Sequence, residues 1–371
     1  MRILQVIPSL PKGGAERMVI ELANDLVSKG EEVSLLLYSA VDTSLNQYSL
    51  DPRVELLFVS KQAKGRYYKY IALPFWVHKN RKQLLEFEVV HCHLTYGLIF
   101  GYFLAKIRKN LPPNKRINLI ATCHLVGVSV PIATRALNKY LSKNFDYFVL
   151  VSIDSYWRES ISSFEKNNFR VIPNGISKSP WEGIAKRVEK SQNFVIGTIS
   201  RLAKERNPKV FIEIFEEVDF LTDGKTTFIL GGAGPEWESI IELVNKSRIK
   251  EKLVMPGLVL DPRHVFSSLD CYVGLNVEDI TGVATLEAIF SGVPAVSLQL
   301  SPDYLSGASD WIFSDQSPQK VAGKIASILV TTQLLDSINA KQIEYASNRF
   351  EIAQMRDAYL ILYHAHPGVA F

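Results

Sequence analysis

The chain has 371 residues, 47% of them hydrophobic and 22% charged, which is the composition of ordinary globular material with length for two or three domains. Its net charge of +4 is uneven: residues 1–175 hold 23 Lys and Arg against 14 Asp and Glu, the rest 19 against 24, so the first half carries a basic surface. The three cysteines, Cys92, Cys123 and Cys271, lack metal-type spacing, and no apolar run reaches the roughly 18 residues of a membrane span, which speaks against a zinc module and a bilayer-spanning protein.

Reduced thiols and a cytoplasmic setting are expected, because the opening MRILQVIPSL has one Arg and too short an apolar run for a signal peptide. It reads instead as a first strand, Arg2 to Ile7. Pro8 to Gly14 forms a turn that opens a helix over Ala15 to Ser28, with Met18, Ile20, Leu22, Ala23 and Leu26 as its apolar residues and Lys29-Gly30 as its stop. Glu32 to Ser39 is the second strand, so the chain begins with the first strand–helix–strand unit of a parallel sheet. Gly13 and Gly14 let the backbone approach a ligand at the helix start, but the GxGxxG spacing of a dinucleotide site is absent, which disfavours a dehydrogenase.

Strands at Val54–Val59, Val89–His91, Asn118–Cys123 and Tyr147–Ser152 alternate with helices near 71–85, 96–108 and 132–143, the pattern of a doubly wound α/β domain. His91, His93 and His124 fall at or just beyond strand ends, on the side where such sheets bind ligands. No neighbouring carboxylate completes a metal set with them, so no metal is expected. Residues 61–82 interleave basic side chains with Tyr67, Tyr68, Tyr70, Phe75 and Trp76, a mixture suited to an anionic membrane interface. A solvated loop is the plain alternative, and nucleic acid, which would need a similar composition, ranks last.

A short strand, Phe169 to Val171, ends in Pro173-Asn174-Gly175, and the polar, charged stretch 177–193 marks a domain boundary. A second alternating series starts at Phe194–Ile199. The loop after that strand, Ser200 to Pro208, places Arg201 and Arg206 before a helix at Val210–Val218, two guanidinium forks suited to a pyrophosphate; a structural ion pair is the alternative for Arg201. Thr227–Leu230 leads into Gly231-Gly232-Ala233-Gly234, again permissive backbone before a helix. Strands at Leu253–Pro256 and Ala295–Leu298 and helices at Val265–Leu269 and Pro318–Leu329 continue the series, and Ala340 to His364 reads as a terminal helix or pair of helices.

Residues 270–296 combine an apolar run (Cys271 to Leu275), an acidic turn (Glu278, Asp279), Gly282 and a short helix over Ala284 to Phe290. The N–H groups at that helix start suit an anion, although acids there also favour the macrodipole for its own sake. Glu287 stands among Val283, Leu286, Ala288, Ile289 and Phe290, where a charge needs a partner or a ligand.

Six stretches in order resemble the retaining nucleotide-sugar glycosyltransferases of family four. They are GGAER (Gly13–Arg17), VVHCH (Val89–His93), ATCH (Ala121–His124), VIPNGI (Val171–Ile176), Ser200-Arg201-Leu202 with Arg206, and the acid-seven-acid motif Asp279 to Glu287 followed by AIFSGVP. The resemblance implies a GT-B fold: two doubly wound, Rossmann-like parallel-sheet domains facing a cleft, with residues 1–173 binding the acceptor, 174–345 the nucleotide-sugar, and 346–371 forming a terminal helix that crosses back to the first domain. It also implies that Arg201 and Arg206 hold the donor diphosphate with backbone N–H groups at Gly14, that Gly13 and Gly232 belong to the donor-binding loops, and that Glu287 binds the ribose. Asp279, with the N–H groups at Gly282 and Val283, would hold sugar and phosphate, and His124 would lie near the donor sugar.

The activity so implied is metal-independent, needs no cofactor, and moves a sugar from a UDP- or GDP-sugar to a glycan or lipid-linked acceptor of a cell-surface polysaccharide; the basic, aromatic stretch 61–82 adds the expectation of a peripheral place on the inner face of a membrane. A nucleotide-sugar epimerase and a donor-binding protein without turnover are the alternatives. This sequence departs from the family in having Asp279 for the first glutamate, Arg206 for a lysine, Thr281 for the aromatic of EGFG, and Leu275-Asn276 for PS.

Overall fold

The computed structural model describes residues 1–10, 14–39, 50–60, 68–109, 111–112, 117–124, 131–152, 168–185, 193–277, 280–299, 314–315 and 317–365. The chain divides into two compact units, Met1–Gly175 with Ile352–Phe371, and Ile176–Glu351. The sequence reading places these boundaries at 173/174 and 345/346.

In the first unit the elements run β1 (Arg2–Val6), α1 (Gly14–Ser28), β2 (Glu32–Ser39), β3 (Glu55–Ser60), α2 (Tyr68–Lys79), α3 (Arg81–Leu84), β4 (Val89–His93), α4 (Leu94–Arg108), β5 (Asn118–Cys123), α5 (Ile132–Ser142), β6 (Tyr147–Leu150) and β7 (Phe169–Val171). The single helix expected over 71–85 is two, broken at Asn80. The strands pair in parallel in the order β3-β2-β1-β4-β5-β6-β7. Strand side chains alternate between faces, so β1 sends Ile3 to one core and Leu4 and Val6 to the other. The first core is covered by α1 through Val19, Ile20, Ala23 and Leu26, the second by α2 and α4 through Leu73, Val77, Leu98 and Leu104. Gly97 lets α4 close on the sheet, because a Cβ there would lie 2.9 Å from the Val6 carbonyl oxygen.

The second unit continues with β8 (Phe194–Ile199), α6 (Lys209–Leu221), β9 (Thr226–Gly231), α7 (Trp237–Lys246), β10 (Leu253–Gly257), α8 (Arg263–Phe266), β11 (Cys271–Val277), β12 (Ile280–Thr281), α9 (Val283–Phe290), β13 (Ala295–Gln299), β14 (Ser314–Asp315), α10 (Pro318–Ile328) and α11 (Thr332–Phe350). Its sheet order is β10-β9-β8-β11-β13-β14, all parallel, with β12 turned back antiparallel on β11. Phe211, Phe215, Phe228, Ile240 and Val273 lie at its core.

A last helix, α12 (Ile352–His364), returns to the first unit and buries Ile352, Met355, Tyr359, Leu362 and Tyr363 against the α1 side of the sheet. Its end is held from below by Asn118 on β5, whose Nδ2 donates to the carbonyls of Leu362 (2.6 Å) and Ala365 (3.1 Å). Arg356 pairs with Asp25 of α1 at 2.9 Å, and the Gly175 amide donates to the Met355 sulfur. Among the described residues no single helix is long and apolar enough to cross a membrane.

Candidate active site

In the first unit the carboxyl ends of β1, β4 and β5 carry Gln5, His91, His93, Thr122 and His124, and α12 adds Tyr359 and Tyr363. Parallel register brings them together: Gln5 stands beside His91, and His93 beside Thr122. His93 Nε2 is 2.5 Å from Gln5 Oε1, and its Nδ1 is 3.1 Å from His124 Nε2. Gln5 Nε2 donates to the Tyr363 hydroxyl (3.2 Å), which lies 2.7 Å from His91 Nδ1. His91 Nε2 is 2.7 Å from Thr122 Oγ1, itself 2.9 Å from the Tyr359 hydroxyl. Both nitrogens of His91 and of His93 are therefore engaged inside the protein. His124 Nδ1 is buried and has no partner among the described residues.

The turn out of β4 is strained. Leu94 adopts φ +58°, a left-handed conformation that costs a non-glycine residue about 1–3 kcal/mol. Such strain persists only where the surrounding structure over-determines it. Burial, with a smaller repulsion from the neighbouring imidazoles, holds His91 and His93 well below the usual imidazole range, and burial holds His124 at about 4, so all three are neutral at pH 7. Burial likewise pushes the Tyr359 and Tyr363 phenols up.

In the second unit Arg201 follows β8, and Arg206 closes a 3-10 turn, Lys204–Arg206, that Asn207 leaves with φ +41°. Both arginines are exposed. Their loop is sewn to the glycine loop after β9: the Ser200 amide donates to the Gly231 carbonyl (2.9 Å), Leu202 to Ala233 (3.1 Å), and Glu236 to Leu202 (2.9 Å). A Cβ at Gly232, where φ is +137°, would lie 1.8 Å from the Ser200 carbonyl oxygen, and one at Gly234 2.2 Å from that of Leu202. These glycines bring one backbone against the other and so shape the loop that carries the arginines. Tyr272 on β11 adds a third stitch, its hydroxyl donating to the Ile199 carbonyl at 3.1 Å.

Farther along the same sheet, α9 begins after Gly282 with extended backbone. Its eight residues bury six, among them Glu287, only 4% exposed and the one charged residue of the helix. Cys271 to Val277 does not pass straight into that helix, as the sequence suggests. Ile280 and Thr281 first fold back on Val277 and Asn276 as a short hairpin.

Residues 12–179 match the family model described as Glycosyltransferase Family 4, and residues 193–331 the model described as Glycosyl transferases group 1. The chain belongs to glycosyltransferase family 4. It is 20% identical over 385 residues to the N-acetyl-alpha-D-glucosaminyl L-malate synthase of Bacillus anthracis, an alignment covering 95% of this chain and 94% of that protein. Among solved structures it is similar to HepE of Anabaena in complex with UDP and glucose, with TM-score 0.74, 18% identity and 97% and 98% of the two chains covered. It is similar also to sucrose-phosphate synthase of Thermosynechococcus elongatus (TM-score 0.73, 14% identity, 98% of each chain) and to TarM of S. aureus (TM-score 0.74, 13% identity, 98% and 99%). The two parallel-sheet units have the GT-B fold.

The residues singled out in the sequence of this glycosyltransferase are distributed as follows. His124 belongs to the first unit, with Gly14 at the start of α1. Arg201, Arg206, Gly232, Gly282, Val283 and Glu287 lie in loops or helix starts beyond the carboxyl ends of β8, β9 and β11, or within α9. Gly13 and Asp279 lie outside the described residues. Sequence reasoning did not reach Gln5, Thr122, Tyr359 and Tyr363. A polar Gln inside the apolar strand ILQVI, and two tyrosines four apart on an apolar helix face, were the signals present.

Proposed function

We propose that this glycosyltransferase takes a nucleoside diphosphate sugar, UDP- or GDP-linked, as donor and transfers the sugar with retention of anomeric configuration, without a metal ion or cofactor. The observation that carries the reading is the loop after β8, where Arg201 and Arg206 are exposed on a backbone held by Gly232 and Gly234. As the bond from the sugar to the diphosphate breaks, negative charge grows on the leaving phosphate, and two guanidinium groups carried on a held backbone oppose it. N–H groups at Gly282 and Val283, at the start of α9, add the positive end of a helix. Glu287, buried in that helix, accepts hydrogen bonds from the ribose hydroxyls. Asp279 and Gly13 keep the roles that family resemblance assigns, at sugar and phosphate. His124, neutral at pH 7, accepts or donates one hydrogen bond to a substrate hydroxyl. UDP as the nucleotide draws support from the UDP complex of HepE.

The acceptor is proposed to be a glycan or lipid-linked sugar reached at the inner face of an anionic membrane. Between Glu55 and Asp146 the chain carries 15 Lys and Arg but only two acids, Glu86 and Glu88. On α2 of this stretch Ile71 and Phe75 are 62% and 75% exposed, and on α5 Ile132 and Tyr140 are exposed too. Cations beside exposed aromatic and aliphatic side chains suit a lipid headgroup layer. The malate named in the Bacillus anthracis relative favours a second reading, a small hydroxy acid as acceptor.

Titration calorimetry and turnover with UDP- and GDP-sugars test the donor. Binding that Arg201→Ala and Glu287→Ala leave intact sinks the site; binding with no product over an acceptor panel points to a donor-binding protein, and an epimerised sugar formed without acceptor to an epimerase. Co-sedimentation with phosphatidylglycerol vesicles tests the membrane: wild type should pellet and Ile71→Ser/Phe75→Ser should not, while both turn over a soluble acceptor alike.

A further inference from the structure

The polar chain under His124 has a direction. A neutral imidazole has one N–H and one bare nitrogen, so each ring passes on the donor or acceptor character it receives. With Gln5 Nε2 donating to the Tyr363 hydroxyl, Gln5 Oε1 faces His93 and can only accept, which puts the His93 proton on Nε2. His93 Nδ1 is then bare and accepts from His124 Nε2–H, and His124 Nδ1 is left bare in turn. The other branch agrees: the Tyr363 hydroxyl accepts from Gln5 and donates to His91 Nδ1, and His91 Nε2–H donates to Thr122 Oγ1. Turning the Gln5 amide over would reverse every member, leaving an N–H on His124 where there is now a lone pair. Among the described residues no carboxylate, lysine or arginine takes part in the chain; its members from β1, β4, β5 and α12 are Gln5, His91, His93, Thr122, His124, Tyr359 and Tyr363.

We propose that Gln5 and His93 are positioning residues that hold His124 as its Nε2–H tautomer, so that its Nδ1 accepts a hydrogen bond from a substrate hydroxyl, the orientation of the Gln5 amide, with Nε2 toward Tyr363 and Oε1 toward His93, fixing which way each member donates. The inference rests on the reading of His124 as a substrate contact. It identifies the contact as an acceptor, and it ties the proton of His124 to the amide of Gln5 on β1 through His93 on β4. The Nδ1 of His124 has no partner among the described residues and is the end of the chain, so it is the one atom of the three rings left to meet a substrate hydroxyl.

Long-range proton–nitrogen spectra of histidine-labelled protein read the tautomers directly. Wild type should show His93 and His124 protonated on Nε2, and Gln5→Met or Tyr363→Phe should turn His124 into a mixture. In turnover, Gln5→Met should lower kcat about tenfold with donor KM moved less than about threefold, and should add nothing in a His124→Ala background. A His124 protonated on Nδ1 in wild type, or losses that multiply in the double variant, overturns the proposal. Loss in His124→Ala without loss in Gln5→Met overturns the positioning role alone; no loss in His124→Ala removes that histidine from the site itself. Should Gln5→Met fail to fold, Tyr363→Phe and the wild-type spectrum decide the matter.

Discussion

The two units present polar chemistry in opposite ways. In the first, uncharged groups are buried and each is oriented by the next, from Tyr359 to His124. In the second, Arg201 and Arg206 are exposed, and the backbone beneath them is held by hydrogen bonds between loops. The difference follows from desolvation. An arginine cannot shed its proton and is costly to bury, so it is positioned from below by hydrogen-bonded loops; a histidine can go neutral, and burial then makes its hydrogen bonds directional.

The largest effect should come from breaking the charged side of this contrast. Arg201→Ala or Arg206→Ala is expected to cut kcat by roughly 10²–10³ while leaving Tm within a degree or two, because an exposed side chain contributes little to stability. A fall below tenfold would contradict the assignment. Next is the backbone under the arginines. Gly232→Ala places a methyl 1.8 Å from the Ser200 carbonyl oxygen, so about 3 kcal/mol or more of stability should be lost in urea unfolding of the second unit, and donor binding with it. If instead that variant unfolds like wild type, the loops are not packed as described.

Smaller effects sharpen the buried side. Asn118→Ala removes donors to the terminal-helix carbonyls, so about 1–3 kcal/mol should be lost, with faster hydrogen exchange at the amides of α12 as the check. Smallest is a pH dependence. Unfolded histidine titrates near 6.5 and folded His124 near 4, so the unfolded chain binds more protons between these values. The stabilising contribution is full above pH 6.5 and lost as pH falls toward 4. Tm measured over that interval should therefore fall less steeply in His124→Gln than in wild type, and equal slopes would speak against a buried neutral histidine.

Much of this was legible in the residues. Alternating strands and helices with glycine turns announced two doubly wound units, and Glu287 stood out as a charge inside an apolar helix and is buried there. Less legible was the turn after β11, where the pairing of Ile280 with Val277 depends on a sheet edge that local pattern does not reveal. Gly232 reads in sequence as room for a ligand; in the fold its missing side chain is room for Ser200.

The sequence by itself determined which segments are strands, which glycines can turn, and where the arginines and histidines fall along the chain, because those follow from local periodicity and backbone sterics. Only the tertiary structure decided that Gln5 meets His93, that Tyr359 and Tyr363 arrive from the far end of the chain, and that His124 is left with one nitrogen unpartnered among the described residues. Those facts depend on the register of β1, β4 and β5 and on the seat of α12, where partners lie 88 and 272 residues apart and side-chain hydrogen bonds form only once the sheet has brought them within 3 Å.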